Sequence, residues 1–200
     1  MASPTMLGAK AVRPRHAASL VLTRRARDGL EVLMGRRPVK SSFAPDVFVF
    51  PGGKLDPVDR AATPLRPLPA ESARRAAASP ALAEALAAAA LRETAEETGL
   101  ILPPDHGALT LMARAITPTM SPIRFHARFF LADWDAAHGG HADSHELTDL
   151  GFRSLAEAAK LPLIDVTEAV LAALADLESG TLRPFLFTYR GTRPQQRLLA

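Results

Sequence analysis

The chain has 200 residues, of which 48% are hydrophobic, so one globular domain with a sizeable core is expected. The absence of cysteine excludes disulfides, thiolate catalysis and cysteine-ligated zinc. A net charge of +3 suits an anionic, phosphate-bearing substrate, and no arginine block is dense enough to indicate nucleic acid. No apolar run is long enough to span a membrane and residues 1–15 lack the apolar region of a secretory signal, so we expect a cytoplasmic protein with a disordered tail at 1–15.

The first third of the chain predicts a β-hairpin and a short strand. Residues 16–24 and 30–36 are the predicted hairpin strands, joined at the turn signal Asp28-Gly29. Residues 47–50 predict a strand that leads into Pro51-Gly52-Gly53. Glycine lets the backbone approach a metal ion, and its carbonyl can be a ligand; a simple strand-ending turn is the alternative interpretation.

Residues 54–79 are rich in proline and arginine and predict an irregular loop with at most one helical turn. An alanine-rich helix is predicted to follow from about Pro80, which suits a first helical position. Gly99 suits the left-handed residue that ends such a helix.

The second half of the chain predicts two strands at 109–116 and 124–131, then a strand after Glu146 with a short helix at 155–160. An amphipathic helix over 165–177 is expected to cover one face of the sheet. A final extended segment is predicted at 183–190.

The end of the alanine-rich helix carries the main functional signal. At 3.6 residues per turn, Glu93, Glu96 and Glu97 share one ridge, where their charges repel one another. A hard divalent cation such as Mg²⁺ or Mn²⁺ removes that repulsion, because it takes carboxylate oxygens. The competing interpretation is a solvated helix face with an Arg92–Glu96 pair at i,i+4.

The run Arg92-Glu93-Thr94-Ala95-Glu96-Glu97-Thr98-Gly99-Leu100 resembles the second half of the Nudix box, R-E-x-x-E-E-x-G followed by an aliphatic residue. The first half departs from the ordinary pattern G-x5-E-x7-R-E. Counted from Gly53, the glutamate belongs at 59 and the arginine at 67, yet the arginine is at 92. Glu84 lies eight residues before Arg92, as the pattern asks, but the glycine expected at 78 is alanine. A Phe50-Pro51-Gly52-Gly53 segment split from the box by an insertion at about 54–79 resembles the coenzyme A diphosphatase-like branch.

The resemblance implies an α/β fold, a Nudix-type α/β/α sandwich with a mixed β-sheet between helices, in a single domain over residues 16–200. It also implies metal-dependent hydrolysis of a nucleoside diphosphate linked to another group. Four sets of site residues follow, and the general base is left open among three glutamates. The predicted residues are Glu93, Glu96, Glu97 and the Gly53 carbonyl for Mg²⁺ or Mn²⁺; Glu93, Glu96 or Glu146 as base; Arg92 as the residue that orients the glutamates; and Gly52, Gly53, Arg36 and Arg124 for substrate.

The predicted substrate is a small nucleotide diphosphate derivative, and the resemblance favours coenzyme A or acyl-CoA. ADP-ribose, NADH and dinucleoside polyphosphates are alternatives, because the box residues handle only the shared diphosphate. A non-catalytic Nudix-fold module that binds a nucleotide or RNA is the alternative from another class. Neither a nucleic-acid nor a membrane partner is expected, and a homodimer is possible.

Overall fold

The computed structural model describes residues 12–178 and 180–200, so residues 1–11 of the predicted tail lie outside the described part. The strands form one nine-stranded sheet. They are β1 Arg15–Ala26, β2 Gly29–Arg36, β3 Phe48–Val49, β4 Gly52–Lys54, β5 Thr110–Ile116, β6 Phe125–Asp133, β7 Thr148–Ser154, β8 Phe185–Arg190 and β9 Arg193–Leu198. The helices are α1 Ala70–Ala76, α2 Pro80–Thr98, α3 Leu155–Ala158 and α4 Asp165–Glu178.

The sheet is mixed, with strand order β3-β2-β1-β6-β5-β8-β9, while β4 pairs with β1 and β7 with β2. Strand β1 is parallel to β6, and β5 is parallel to β8; the other pairs are antiparallel. The pairing of β4 with β1 sets Gly53 opposite Ala18 at the sheet's centre. This pairing fixes the Gly52–Gly53 corner against the sheet.

Two apolar layers cover the two faces of the sheet. One core cluster joins the sheet to α1 and α2, through residues such as Leu20, Leu86 and Phe130. The other joins the opposite face to α3 and α4, through residues such as Met112 and Leu174. The predicted α/β/α sandwich is therefore confirmed. Within the described residues, no helix is long and apolar enough to cross a membrane.

Helix α2 begins and ends as its sequence predicts. The hydroxyl of Ser79 accepts a hydrogen bond from the Leu82 N–H at 3.3 Å, Pro80 occupies the first turn, and Gly99 ends the helix with φ of 77°. Most of its alanine side chains are buried, so the helix lies close to the sheet. That close packing brings its glutamates to the Gly52–Gly53 corner.

The 54–79 segment is more ordered than the sequence predicted. It forms a 3₁₀ turn at Pro57–Ala61 and the seven-residue helix α1, where at most one helical turn was expected. Strand β9 was also missed, because its residues are all exposed and show no alternation of apolar and polar side chains.

Helix α1 is held on the sheet by arginines rather than by its own apolar face alone. Arg128 is 2% exposed, and its guanidinium donates to the Ala76 carbonyl at 2.8 Å. Arg114 donates to the Arg75 carbonyl at 3.2 Å. These carbonyls lie at the C-terminus of α1, where a cation is favourable. Among the described residues, neither arginine has a carboxylate partner within salt-bridge distance.

Two histidines complete this cluster as hydrogen-bond acceptors. His126 Nε2 lies 3.2 Å from a guanidinium nitrogen of Arg114, and His16 Nδ1 lies 3.0 Å from one of Arg128. Burial, followed by the charges of Arg128 and Arg114, lowers the pKa of His126 to about 3. Both rings must therefore stay neutral for the cluster to hold together.

The contribution of His126 to stability is expected to fall as the pH drops from 7 to 4.5. The ordinary histidine pKa of 6.5 applies to the unfolded chain, so below it the unfolded chain binds a proton at position 126 that the folded chain does not. We expect a loss of about 1.5 kcal/mol from this side chain, after allowing for its partial exposure. Urea denaturation of the wild type and of His126→Gln at both pH values isolates this effect. An equal pH dependence in the two proteins would contradict it.

Candidate active site

A large cavity of about 880 Å³ is bounded by four parts of the structure. They are the loop before β3, the loop before β6, helix α2 and the start of α4. That volume suits a nucleotide-sized ligand. Its lining includes the glycine corner and all four glutamates predicted from the sequence: Gly52, Gly53, Glu93, Glu96, Glu97 and Glu146.

Glu97 is the most deeply placed of these carboxylates. It is 3% exposed, and its Oε2 accepts a hydrogen bond from the Gly52 N–H at 2.8 Å. Burial raises the pKa of Glu97 to about 8, and the charges of Glu93 and Glu146 add to that shift. The Gly52 N–H and Arg37 oppose it. Glu97 is therefore fixed against the corner in a setting that disfavours its negative charge.

Glu93 occupies the space in which a side chain at position 53 would lie. A Cβ built on Gly53 would be 2.3 Å from the Glu93 carboxyl carbon. Burial raises the pKa of Glu93, and the adjacent Arg92 opposes the shift. The close approach explains the glycine at 53: any side chain there would displace this carboxylate.

Arg92 contacts two of the glutamates and an aspartate, a network that the sequence had only partly indicated. Its guanidinium contacts Glu93 at 3.0 Å and Glu96 at 2.9 Å. It also forms a bidentate salt bridge with Asp59, with distances of 2.8 and 3.0 Å. Asp59, 3% exposed, stands where the pattern G-x5-E counted from Gly53 expects a glutamate. The hydrogen bond to Asp59 raises the pKa of Arg92. An aspartate in the 54–79 segment thus positions the arginine of the helix.

Replacing Asp59 by asparagine is expected to lower kcat about 10- to 100-fold and stability by about 2 kcal/mol. The change leaves Arg92 with less charge compensation and frees it to shift away from Glu93. Asp56→Asn is the matched control, because Asp56 is more exposed and its carboxylate lies 3.8 Å from Arg92. Steady-state kinetics and thermal unfolding of both variants test this role. Equal effects of the two substitutions would contradict it.

The donor set fits a hard divalent cation, since four carboxylates and the Gly53 carbonyl supply only oxygen. Within residues 12–178 and 180–200, no three acidic or histidine side chains already stand in metal-ligand geometry. Glu93 and Glu96 are engaged by Arg92, and Glu97 by the Gly52 N–H. Glu146 lies at the rim with its side chain exposed. Side-chain rotations would be needed to bring the carboxylates onto one ion.

The arginines predicted to bind substrate are placed differently from one another. Arg36 is absent from the cavity lining and pairs with Asp46 at 2.7 Å, whereas its neighbour Arg37 lines the cavity. Arg124 lines the cavity, but it is buried and donates to the carbonyls of Val12 and Thr117. Arg124 thus holds the loop before β6 in place.

Glu84 lies away from the cavity. It accepts a hydrogen bond from the Leu68 N–H at 2.9 Å, and its other oxygen is 2.6 Å from Nδ1 of the buried His106. The first contact attaches the 54–79 segment to α2, and the second attaches the 3₁₀ turn at His106–Ala108. Glu84 matches the spacing of the box, but its side chain makes structural contacts outside the cavity.

Three features in or next to the cavity were not predicted from the sequence. They are the position of Arg37, the Asp59–Arg92 pair and the Tyr189–Asp165 pair. The count of residues from Gly53 contained a signal for Asp59, since it pointed to position 59. Arg36 ends β2 and Arg37 follows it, and the basic run there has no apolar–polar alternation to indicate which side chain lines the cavity. The Tyr189–Asp165 contact joins distant segments and has no local signal.

A family model described as the NUDIX domain matches residues 13–174. The chain belongs to the Nudix family. A crystal structure of a Nudix hydrolase from Alicyclobacillus acidocaldarius is similar to it, with a TM-score of 0.67 and 28% identity, over 85% of this chain and 97% of that one. The family match and this similarity support a hydrolase that acts on pyrophosphate bonds. Nudix hydrolases generally need divalent metal ions.

More distant structures share the fold alone. The MutT protein of Bacillus halodurans has a TM-score of 0.57 and 17% identity, over 92% of this chain and 97% of that one. The Nudix domain of Shewanella oneidensis NrtR, solved with ADP-ribose, has a TM-score of 0.54 and 15% identity, over 84% of this chain and 90% of that one. No curated protein matches the chain.

Proposed function

We propose that this Nudix hydrolase cleaves the diphosphate of coenzyme A or of an acyl-CoA, with Mg²⁺ or Mn²⁺ as cofactor. The observation that carries the hydrolysis is the convergence of Glu93, Glu96, Glu97 and Glu146 with the Gly52–Gly53 corner on one cavity. The choice of coenzyme A rests on the Phe50–Gly53 segment and its separation from the helical glutamates, which resemble the coenzyme A diphosphatase-like branch.

The residues of the cavity divide the work between binding and proton transfer. Arg37 lines the cavity near Glu97 and carries a charge suited to a phosphate oxygen. Arg92, held by Asp59, fixes the orientation of Glu93 and Glu96. Gly53 leaves the space in which the Glu93 carboxylate lies. A bound divalent cation would neutralise the diphosphate and acidify a water molecule.

The reaction itself is a displacement at phosphorus. The oxygen of water forms a bond to one phosphorus, the bond from that phosphorus to the bridging oxygen breaks, and the bridging electrons stay on the departing phosphate. One carboxylate among Glu93, Glu96 and Glu146 accepts the water's proton. From coenzyme A the products are phosphopantetheine and adenosine 3′,5′-bisphosphate.

A substrate panel tests this proposal directly. Purified protein is incubated with coenzyme A, an acyl-CoA, ADP-ribose, NADH and a dinucleoside polyphosphate, with Mg²⁺ or Mn²⁺ and with EDTA. Products are then separated and quantified by chromatography and identified by mass spectrometry, because an added phosphatase would release the 3′-phosphate of intact coenzyme A. We expect the highest kcat/KM for a coenzyme A substrate and no turnover in EDTA. Higher kcat/KM on ADP-ribose or NADH would reassign the substrate.

A non-catalytic nucleotide- or RNA-binding module is the second candidate. The intact set of box glutamates favours catalysis over that role, because a pure binding site gains nothing from crowding these charges. Nucleotide binding without turnover on any member of the panel would support the module instead. A cytoplasmic location and a homodimer stay predictions.

A further inference from the structure

The cavity contains a recess whose walls differ in chemistry from the glutamates. The register of the sheet sets Ala127, Ala115 and Phe187 side by side on β6, β5 and β8. Phe129 lies two residues after Ala127 on β6, and Tyr189 lies two residues after Phe187 on β8. Because β6 and β8 run in opposite directions, these two rings lie on opposite sides of the row, and all five side chains line the cavity. Two alanines therefore leave a flat space that is bordered by three aromatic rings.

The carboxylate of Asp165 lies at this recess. Asp165, the first residue of α4, lines the cavity, and its Oδ1 accepts hydrogen bonds from the Tyr189 hydroxyl at 2.5 Å and the Val166 N–H at 2.9 Å. In the part of the chain that the structure describes, no donor is hydrogen-bonded to the second oxygen, Oδ2. Burial and the adjacent Asp165 raise the pKa of Tyr189, so its phenol stays a donor.

An acceptor of this kind calls for a ligand that supplies an N–H group. An ionised carboxylate only accepts hydrogen bonds, and an alkyl chain packed over it would remove water without replacing that contact. A planar heterocycle with an amino group satisfies both parts of the recess, because its faces pack on the aromatic rings and its edge donates.

We propose that this recess binds the adenine base of the substrate and that Asp165 Oδ2 accepts a hydrogen bond from the 6-amino group. The assignment rests on the proposed function, which supplies an adenosine diphosphate moiety. It places the base between α4 and the β5–β6–β8 surface, while the diphosphate lies at the glutamates. Asp165 becomes a specificity-determining residue that the box motif does not contain.

Inosine diphosphate provides the decisive comparison, since hypoxanthine presents a carbonyl oxygen where adenine has the amino group. That oxygen would face Asp165 as a second acceptor, so ADP is expected to bind about 10- to 100-fold more tightly than IDP. In Asp165→Asn, the amide oxygen still serves Tyr189 and Val166, and the amide nitrogen takes the place of Oδ2. Because that nitrogen donates, the preference should reverse in favour of IDP.

The test is isothermal titration of the full chain with ADP and with IDP in Mg²⁺ buffer, using wild type, Asp165→Asn and Glu168→Gln. Glu168 lies exposed in the same helical turn outside the cavity lining, so its variant makes the same charge change and should keep the wild-type preference. Circular dichroism checks that each variant is folded. Reversal in Asp165→Asn alone supports the proposal.

Three results would overturn the base assignment: equal affinity of the wild type for ADP and IDP, an adenine preference retained in Asp165→Asn, or no ADP binding at millimolar concentration. Hydrolysis of coenzyme A is measured separately on the same preparations. A protein that prefers ADP but leaves coenzyme A intact would defeat the proposed substrate and leave the base assignment standing.

Discussion

Glu97→Gln is expected to lower kcat by about 10³-fold while the protein keeps its fold. Glu97 is the buried carboxylate of the cavity, and the amide removes the charge that would hold a divalent cation. Glutamine retains an oxygen that can accept the 2.8 Å hydrogen bond from the Gly52 N–H, so the corner should stay in place. We expect the Tm to change by less than about 3 °C, because no cavity is created.

Steady-state kinetics on the best substrate of the panel and differential scanning calorimetry measure the two effects of Glu97→Gln. Glu168→Gln, an identical chemical change at an exposed position of α4, serves as the control and should keep wild-type turnover. If purified Glu97→Gln turns over at the wild-type rate, Glu97 has no place in the chemistry. A collapse of the Tm would instead give it a structural role.

Gly53→Ala is expected to reduce kcat at least about 100-fold. The added methyl group would lie 2.3 Å from the Glu93 carboxyl carbon and 2.4 Å from its Oε2, so the carboxylate must move. A displacement of about 1 Å at a reacting centre is enough for a loss of this size. The free energy of unfolding should change little, because a partly exposed side chain can swing away.

The matched control for this substitution is Gly140→Ala, since a Cβ at that position meets nothing within 4 Å. We expect Gly140→Ala to retain full activity and Gly53→Ala to lose it, with similar Tm values for both. Crystal structures of the two variants would show whether Glu93 has rotated. An active Gly53→Ala enzyme with Glu93 in its original position would refute the steric argument.

The sequence was most informative where local chemistry decides the structure. Ser79, Pro80 and Gly99 set the limits of α2 through short-range hydrogen bonds and backbone conformation, and the structure has the helix at Pro80–Thr98. The helical repeat of 3.6 residues per turn is also local, and it places Glu93 and Glu97 on the same side of α2. Their approach to Gly53 needed the pairing of β4 with β1, which no local pattern contains.

Long-range contacts explain what the sequence left out. Asp59 and Arg92 are far apart along the chain, and the prolines around Asp59 suggested only an irregular loop. An arginine in a strand such as Arg128 suggests a surface position from sequence alone. Its burial depends on the Ala76 carbonyl, which belongs to a helix from another segment. Arg36 is the last residue of β2 and Arg37 is the first residue after it, and only Arg37 lines the cavity. The basic run around them has no apolar–polar alternation that would indicate this.

The contacts of Arg114 and Arg128 with α1 affect how the chain could be shortened. A chain shortened between residues 62 and 78 would retain Asp59, the glycine corner and every glutamate of the cavity. It would also remove the α1 carbonyls to which Arg114 and Arg128 donate. Two like charges would then lie on an uncovered face of the sheet without these acceptors. Minimised variants therefore require apolar replacements at positions 114 and 128, introduced together with the deletion.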